Sequence, residues 1–402
     1  MRALVCCLIL AAVLPAAGRV TANGSVVDDT TNQPVAGATV MVYSAGVKTG
    51  YDQFCPTCYV DCGKRAATGA DGSFSIPNLS PDLVFQLLVV HDGHSAAFVK
   101  KVDPVAAPVG ARLKPRVAPA NPVQVVRGRV TDNKGLPVRD ALISQQGIVF
   151  EQGRGFGDRD WIDLVGVTNA NGEFEMAYAK PAQAMILQVA PRGMAPKLVT
   201  LPTGEKRHSI TVTDGATIRG RLVRDGKPVA NAEFALRTHS QSAGTTFQEV
   251  RIGTNEKGEF AITNVPAGRV WDLYPTMDSL APLGLAAKVT NVATKDDGQE
   301  VAVGDIPAAP AHELRGRIQL SDGKPIPPGM RVSVFADRLP DRQSVTLPPD
   351  GAFVFRGLAK GVYVLQATVK GYQPLDPEAP AEFLLEGDRK DFNVTLVPRP
   401  GK

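Results

Sequence analysis

One phrase is written four times along this 402-residue chain, with its opening glycines roughly a hundred residues apart. The copies run Gly24…Pro34-Val35…Gly72-Ser73-Phe74, Gly128…Pro137-Val138…Gly172-Glu173-Phe174, Gly220…Pro228-Val229…Gly258-Glu259-Phe260 and Gly316…Pro325-Ile326…Gly351-Ala352-Phe353. A repeat of that period means an array of small domains, each the size of one β-sandwich. Within a copy, a run such as Val125 to Val130 alternates apolar and polar residues, the period of a half-buried strand. A polar turn follows, and Pro-Val opens the next strand, where a missing N–H breaks no ladder bond. Asp71-Gly72, Asn171-Gly172, Lys257-Gly258 and Asp350-Gly351 are hairpin-turn pairs, because glycine takes the positive φ that a tight turn needs. The phenylalanines two residues on are expected in the cores, as is Trp271. Sustained helical periodicity is absent.

The chain therefore reads as all-β, with four tandem Ig-like or transthyretin-like antiparallel β-sandwich domains behind an N-terminal signal segment. The expected units are 1–22, 23–118, 123–213, 214–307 and 312–398. Arg2 and the apolar run from Ala3 to Leu14 form an export signal, too short for a membrane span of about 20 residues. Cleavage is expected after Ala17 or, on the small-residue preference, after Ala22. The joints expected between units are Pro115 to Pro122 and Ile306 to Pro310, both rich in proline and alanine, and the tight Thr213-Asp214-Gly215.

The pattern Gly-x-Val…Gly-x-Pro-Val-x-x-Ala…Thr-x-x-x-Gly-x-Phe resembles the carboxypeptidase regulatory-like domain, a transthyretin-like sandwich. The second unit carries it most fully, in Gly128, Val130, Gly135, Pro137, Val138, Ala141, Thr168, Gly172 and Phe174. The fourth departs from it: Pro327-Pro328-Gly329 replaces the continuation, and Leu347 stands where the others have Thr68, Thr168 and Thr254. The resemblance implies an accessory, adhesive or scaffold module whose named relatives keep catalysis in a separate domain. Related adhesin sandwiches carry Lys–Asn isopeptide bonds. Asn393 sits on a fitting last strand, but Leu314 to Leu320 offers no lysine, so none is expected.

Composition narrows the function. A net charge of +4 is too small for this length to imply nucleic acid. Five histidines, His91, His94, His208, His239 and His312, form neither His-Glu-x-x-His nor His-x-x-Glu, and no Gly-x-Ser-x-Gly elbow occurs. The chain is thus expected not to be an enzyme. Gly153-Arg154-Gly155-Phe156-Gly157 lacks dinucleotide spacing and reads as a flexible surface loop.

Chemistry can reside only in what does not repeat. The first unit inserts Cys55-Pro56-Thr57-Cys58-Tyr59-Val60-Asp61-Cys62, which leaves three cysteines in the mature chain. One reading is a disulfide stapling the loop beside a spare thiol. A second is a metal ion held by Cys55, Cys58 and Cys62, with His91 and His94 completing the set. Thiol redox chemistry and pairing with another chain are further readings. No other cofactor is expected. The second unit inserts Asp158-Arg159-Asp160-Trp161-Ile162-Asp163. Asp158, Asp160 and Asp163 can bind calcium, and Trp161 can stack on a sugar; the plainer reading is a charged loop whose tryptophan packs onto the sandwich. The expected role is an exported scaffold or binding protein that holds a protein or polysaccharide of the cell envelope through loops of the first two units. The alternatives are a carbohydrate-binding protein and a metal-binding or thiol-active one. The expected location is secreted, periplasmic or cell-surface, with no membrane span in the mature chain.

Overall fold

The computed structural model describes residues 18–48, 59–118, 124–157, 159–163, 165–204, 206–238, 250–337, 339, 341–375 and 382–399. Cys55, Cys58 and Asp158, and the body of the export signal, lie outside these residues.

The first sandwich contains β1 (Val20–Asp28), β2 (Thr39–Val47), β3 (Arg65–Ala67), β4 (Ser73–Leu79), β5 (Leu83–His91), β6 (His94–Val102) and β7 (Val109–Leu113). One sheet has the order β4-β1-β7 and the other β3-β2-β5-β6. β1 is antiparallel to β4 and parallel to β7, so the first and last strands lie side by side. The second sandwich contains β8 (Val125–Thr131), β9 (Leu142–Phe150), β10 (Gly153–Phe156), β11 (Val165–Val167), β12 (Glu173–Ala177), β13 (Ala184–Ala190), β14 (Lys197–Pro202) and β15 (Arg207–Thr211). Its sheets are β12-β8-β15 and β10-β9-β13-β14, with β11 also on β9.

The third contains β16 (Ala216–Arg224), β17 (Lys227–Pro228), β18 (Glu233–Thr238), β19 (Val250–Gly253), β20 (Glu259–Val265), β21 (Arg269–Pro275), β22 (Leu285–Ala287), β23 (Thr290–Thr294) and β24 (Glu300–Pro310). The fourth contains β25 (His312–Leu320), β26 (Arg331–Ala336), β27 (Arg342–Thr346), β28 (Ala352–Leu358), β29 (Gly361–Thr368), β30 (Tyr372–Pro374), β31 (Glu382–Leu385) and β32 (Arg389–Pro398). The same antiparallel–parallel triplet recurs as β20-β16-β24 and β28-β25-β32. Among the described residues none of the sheets closes into a barrel. Asn393 faces Arg317 across the last pair.

The repeated residues turn out to be partners. Gly24 pairs with Phe74, Gly128 with Phe174, Gly220 with Phe260 and Gly316 with Phe353, each directly across two antiparallel strands. The phenyl ring lies over the glycine: a Cβ there would come within 2.5 Å of the ring at Gly24 and Gly128, 2.7 Å at Gly220 and 2.9 Å at Gly316. The ring fills the space that a side chain would take, and all four phenylalanines are buried. The turn glycines of the four Gly-x-Phe motifs have φ between 70° and 75°.

The repeated threonine has an equally local task. Thr168 Oγ1 accepts the Ala141 N–H at 2.8 Å and donates to the Val138 carbonyl at 2.7 Å, stapling the Pro-Val-x-x-Ala turn. Thr68 and Thr254 do the same for Ala38 and Val35, and for Ala232 and Val229. In the fourth sandwich the position is the buried Leu347, whose N–H donates to the Met330 carbonyl. Thr168→Val keeps the volume and orphans a buried N–H, so it should cost about 1–3 kcal/mol, read as an unfolding midpoint in denaturant. An unchanged midpoint would show that the staple carries no stability.

Two sequence readings change, and one strand departs from simple alternation. Gly153–Phe156 is strand β10, not a loose loop: it pairs with Gly147 to Phe150 in a hairpin. Ile306 to Pro310 is not a joint but the end of β24, paired with β16 and β22. Its prolines are tolerated because a strand's end asks for few ladder N–H groups. β5 does not alternate through Leu87, Leu88 and Val89, all fully buried. Its outer side is covered as well: Met41, Leu88 and Ala96, with Tyr43, Val90 and Phe98, pack against Leu142, Val165 and Val167 of the second sandwich. A strand buried on both faces reads as a continuous apolar run. Trp271 is in the third core, as expected.

Candidate functional site

β1 starts at Val20, and Ala22 within it is buried opposite Ile76. Arg19 Nη1 bonds the Asp61 carboxylate at 2.6 Å. A cut after Ala22 would remove the start of this strand, whereas one after Ala17 leaves it whole. Asp61, inside the cysteine insertion, is fully buried. It accepts Lys64 Nζ at 2.5 Å and the Ser80 N–H at 3.1 Å. Burial pushes its carboxyl up, but the bonds from Lys64 and Ser80 and the charges of Lys64 and Arg19 outweigh that and hold it below the usual carboxylate range. The insertion is thus pinned to the sandwich by its acid.

Cys62 packs against the first core, and the neighbouring Gly63 N–H donates to the Val42 carbonyl. Burial pushes the Cys62 thiol up, against smaller opposing effects from the Tyr59 backbone and Arg192. A thiol so placed is less nucleophilic than an exposed one. His91 follows Val90, which pairs with Thr39, whereas the Cys62 turn is bonded at Val42. That offset along β2 is roughly 10 Å at ordinary strand rise. The described residues therefore bring the two histidines together but do not bring Cys62 to them. Among the described residues, no three His, Cys, Asp or Glu side chains converge as a metal site would require.

The turn between β5 and β6 brings His91 Nδ1 and His94 Nδ1 to 2.9 Å. Both Nδ1 atoms are committed to hydrogen bonds, so neither is offered to a metal ion: His91 Nδ1 also accepts the Gly93 N–H, and His94 Nε2 reaches the Asp28 carboxylate at 2.8 Å. The Thr31 N–H, foremost, and then His94 hold the Asp28 carboxyl down at about 2.

In the second sandwich the acidic insertion does not gather. Asp160 is exposed at the surface. Asp163 is 2% exposed and fully occupied. It accepts Arg116 Nε and Nη2 at 3.0 and 2.8 Å, the Val117 N–H at 3.0 Å and the Ala177 N–H at 2.9 Å. Arg116 and Val117 belong to the segment leaving the first sandwich, so Asp163 stitches that joint. Trp161 packs against the second core and Phe150, with Lys180 Nζ 5.7 Å from its ring centre. The indole is thus half-buried among neighbours of its own chain. Nothing in the sequence around Arg116 marked it as the partner of Asp163.

What the insertion does expose is its hairpin. β10 forms one edge of its sheet, paired to β9 on its inner side. Glu151, Gln152, Gly153 and Arg154 are exposed at the tip, and Phe156 is 59% exposed. Arg154 and Phe156 fall on the same face by strand period. Between the first two sandwiches lies a polar cleft of about 390 Å³ lined by His91, His94, Arg116, Glu173 and Arg207 among others.

The class that this fold defines is an all-β protein of tandem Ig-like sandwiches. No protein-family model matches the chain, and no curated protein does. Among solved structures it is similar to a streptococcal ancillary pilin, 16% identical, over 69% of this chain and 99% of that one, with a TM-score of 0.25. It is similar to the TIE protein of Bacillus anthracis at 13% identity, over 95% and 74%, with a TM-score of 0.21. The minor pilin of Streptococcus agalactiae gives 16% identity over 47% and 98%, with a TM-score of 0.25. Scores this low mean that the chains do not superpose as wholes, and the roles of those proteins do not pass to this one. No helix among the described residues is long and apolar enough to cross a membrane.

Proposed function

We propose that this chain is an exported, non-enzymatic scaffold of the cell envelope that holds a polypeptide partner on the second sandwich. The observation that carries this reading is the β9–β10 hairpin. Among the described residues it is a non-repeating element that presents a sheet edge and a large exposed apolar side chain together. Edge strands recruit extended segments through main-chain hydrogen bonds, and an exposed aromatic supplies the anchor. Arg154 beside Phe156 favours a segment with an acidic residue next to an apolar one. The carbohydrate reading draws less support, because Trp161 is spent on Phe150, Lys180 and the core.

A photo-crosslinking residue at position 156 of the exported full chain should capture an envelope polypeptide, and the same residue at the exposed Val105 should not. Phe156→Asp should weaken retention of the captured partner about thirtyfold, the equivalent of about 2 kcal/mol for an aromatic anchor. Equal capture from both positions, or retention unchanged in Phe156→Asp, would remove the hairpin from the interface. Retention of an envelope glycan lost in Trp161→Ala would favour the sugar reading instead.

A further inference from the structure

The fourth sandwich leaves an apolar face uncovered. In its sheet β27-β26-β29-β31, Val334, Tyr363, Leu365 and Phe383 are buried in the core. Strand period then sends Phe335, Val362, Val364 and Leu384 to the opposite face. None of these four belongs to the fourth core, and Leu384 is 57% exposed. The exposed bond between the Ser333 and Ser344 hydroxyls, 2.7 Å long, lies on the same face.

The register sets these side chains in rows. Phe335 stands opposite both Arg342 on β27 and Val364 on β29, and Val364 stands opposite Glu382 on β31. One row therefore reads Arg342, Phe335, Val364, Glu382 across the four strands. Beside it, Val362 stands opposite Leu384. An apolar pair is thus flanked by a cation on one edge strand and an anion on the other, about 14 Å apart at ordinary strand spacing. Arg342 and Glu382 are exposed, and neither has an ion-pair partner among the described residues. The other charges on the border, Asp337 and Lys360, are of opposite sign and line one cleft with Val362 and Val289. The third sandwich reaches the patch only at that margin. The corresponding sheet of the first sandwich, β3-β2-β5-β6, also carries an apolar outer face, and there the second sandwich covers it.

We infer that this face of the fourth sandwich joins two copies of the chain, about a two-fold axis that runs along the strands between β26 and β29. Such an axis turns the row end for end. Phe335 of one copy lies over Val364 of the other, and Arg342 lies over Glu382 twice. Sheets packed face to face keep their strands nearly aligned at a spacing of about 10 Å. A contact of this kind uses the same patch on both copies, so it closes at a pair and does not grow into a fibre. A different polypeptide would need its own acid and base at the same span, whereas a second copy supplies them by symmetry. The contact does not involve the β9–β10 hairpin.

The test is sedimentation of the exported full chain over a concentration series. A reversible equilibrium between monomer and dimer is expected, and Leu384→Asp should weaken it about thirtyfold. Arg342→Glu places a carboxylate over Glu382 of the other copy and should weaken it about tenfold; Glu382→Arg should do the same with two cations. The double variant Arg342→Glu with Glu382→Arg restores both pairs in reverse, and its affinity should return to within about threefold of wild type. Four results would overturn the contact: a chain that stays monomeric up to about 0.5 mM, a dimer indifferent to Leu384→Asp, single charge reversals without effect, or a double variant as weak as the single ones.

Discussion

Gly316→Ala should unfold the fourth sandwich at temperatures where the rest of the array stays folded. The new Cβ would overlap the Phe392 carbonyl oxygen on the parallel strand β32 and lie 2.9 Å from the Phe353 ring. The first obstacle is backbone held in the ladder, where Gly316 pairs with Phe392, and it cannot swing aside as a side chain can. Forced overpacking of this kind costs about 3 kcal/mol or more. For a domain of this size that is on the order of 15 °C in melting temperature, visible in calorimetry as one transition moved down. A transition shifted by only a degree or two would mean that the glycine is not required by the close approach. Gly18→Ala, with open space at the Cβ, is the control.

Asp163→Ala is the second large effect. It would remove one carboxylate from four donors: two guanidinium nitrogens of Arg116 and the backbone N–H groups of Val117 and Ala177. Breaking one side of a buried, hydrogen-bonded ion pair costs about 3–5 kcal/mol, because the partners are left in place without an acceptor. The expected outcome is a lower denaturant midpoint for the second sandwich. The Lys64→Ala variant should not share it, since Lys64 belongs to the separate Asp61 cluster in the first sandwich. A wild-type midpoint raised by calcium, together with an unchanged midpoint in Asp163→Ala, would return Asp163 to the ligand role suggested by its sequence.

How much of this was legible is best judged residue by residue. The repeat disclosed the fold because its elements act locally: glycine turns, prolines at strand starts and inward phenylalanines each obey rules that span a few residues. Even so, that Gly128 and Phe174 are one cross-strand unit emerges only from the register. The site was less legible, because its residues act across distance. Asp163 looked like a calcium ligand in its own acidic run, but its partner Arg116 lies 47 residues earlier. His91 and His94 were visible as a turn pair, yet their carboxylate partner Asp28 lies 66 residues from His94. Leu88 broke the strand period because its outer neighbour is another sandwich, which no window on β5 contains. Gly153 to Gly157 read as a loose loop because three glycines in five residues weaken strand propensity, and pairing with β9 overrode it.

The parallel contact between the first and last strands of each sandwich has a mechanical consequence. The chain enters along β1 and leaves along β7, side by side and pointing the same way. A pull on the two ends drags these strands past each other lengthwise, so the hydrogen bonds between them are loaded together and not one after another. The same holds for β8 with β15, β16 with β24, and β25 with β32. Four such clamps in series would let tension pass from one end of the array to the other with each unit still folded.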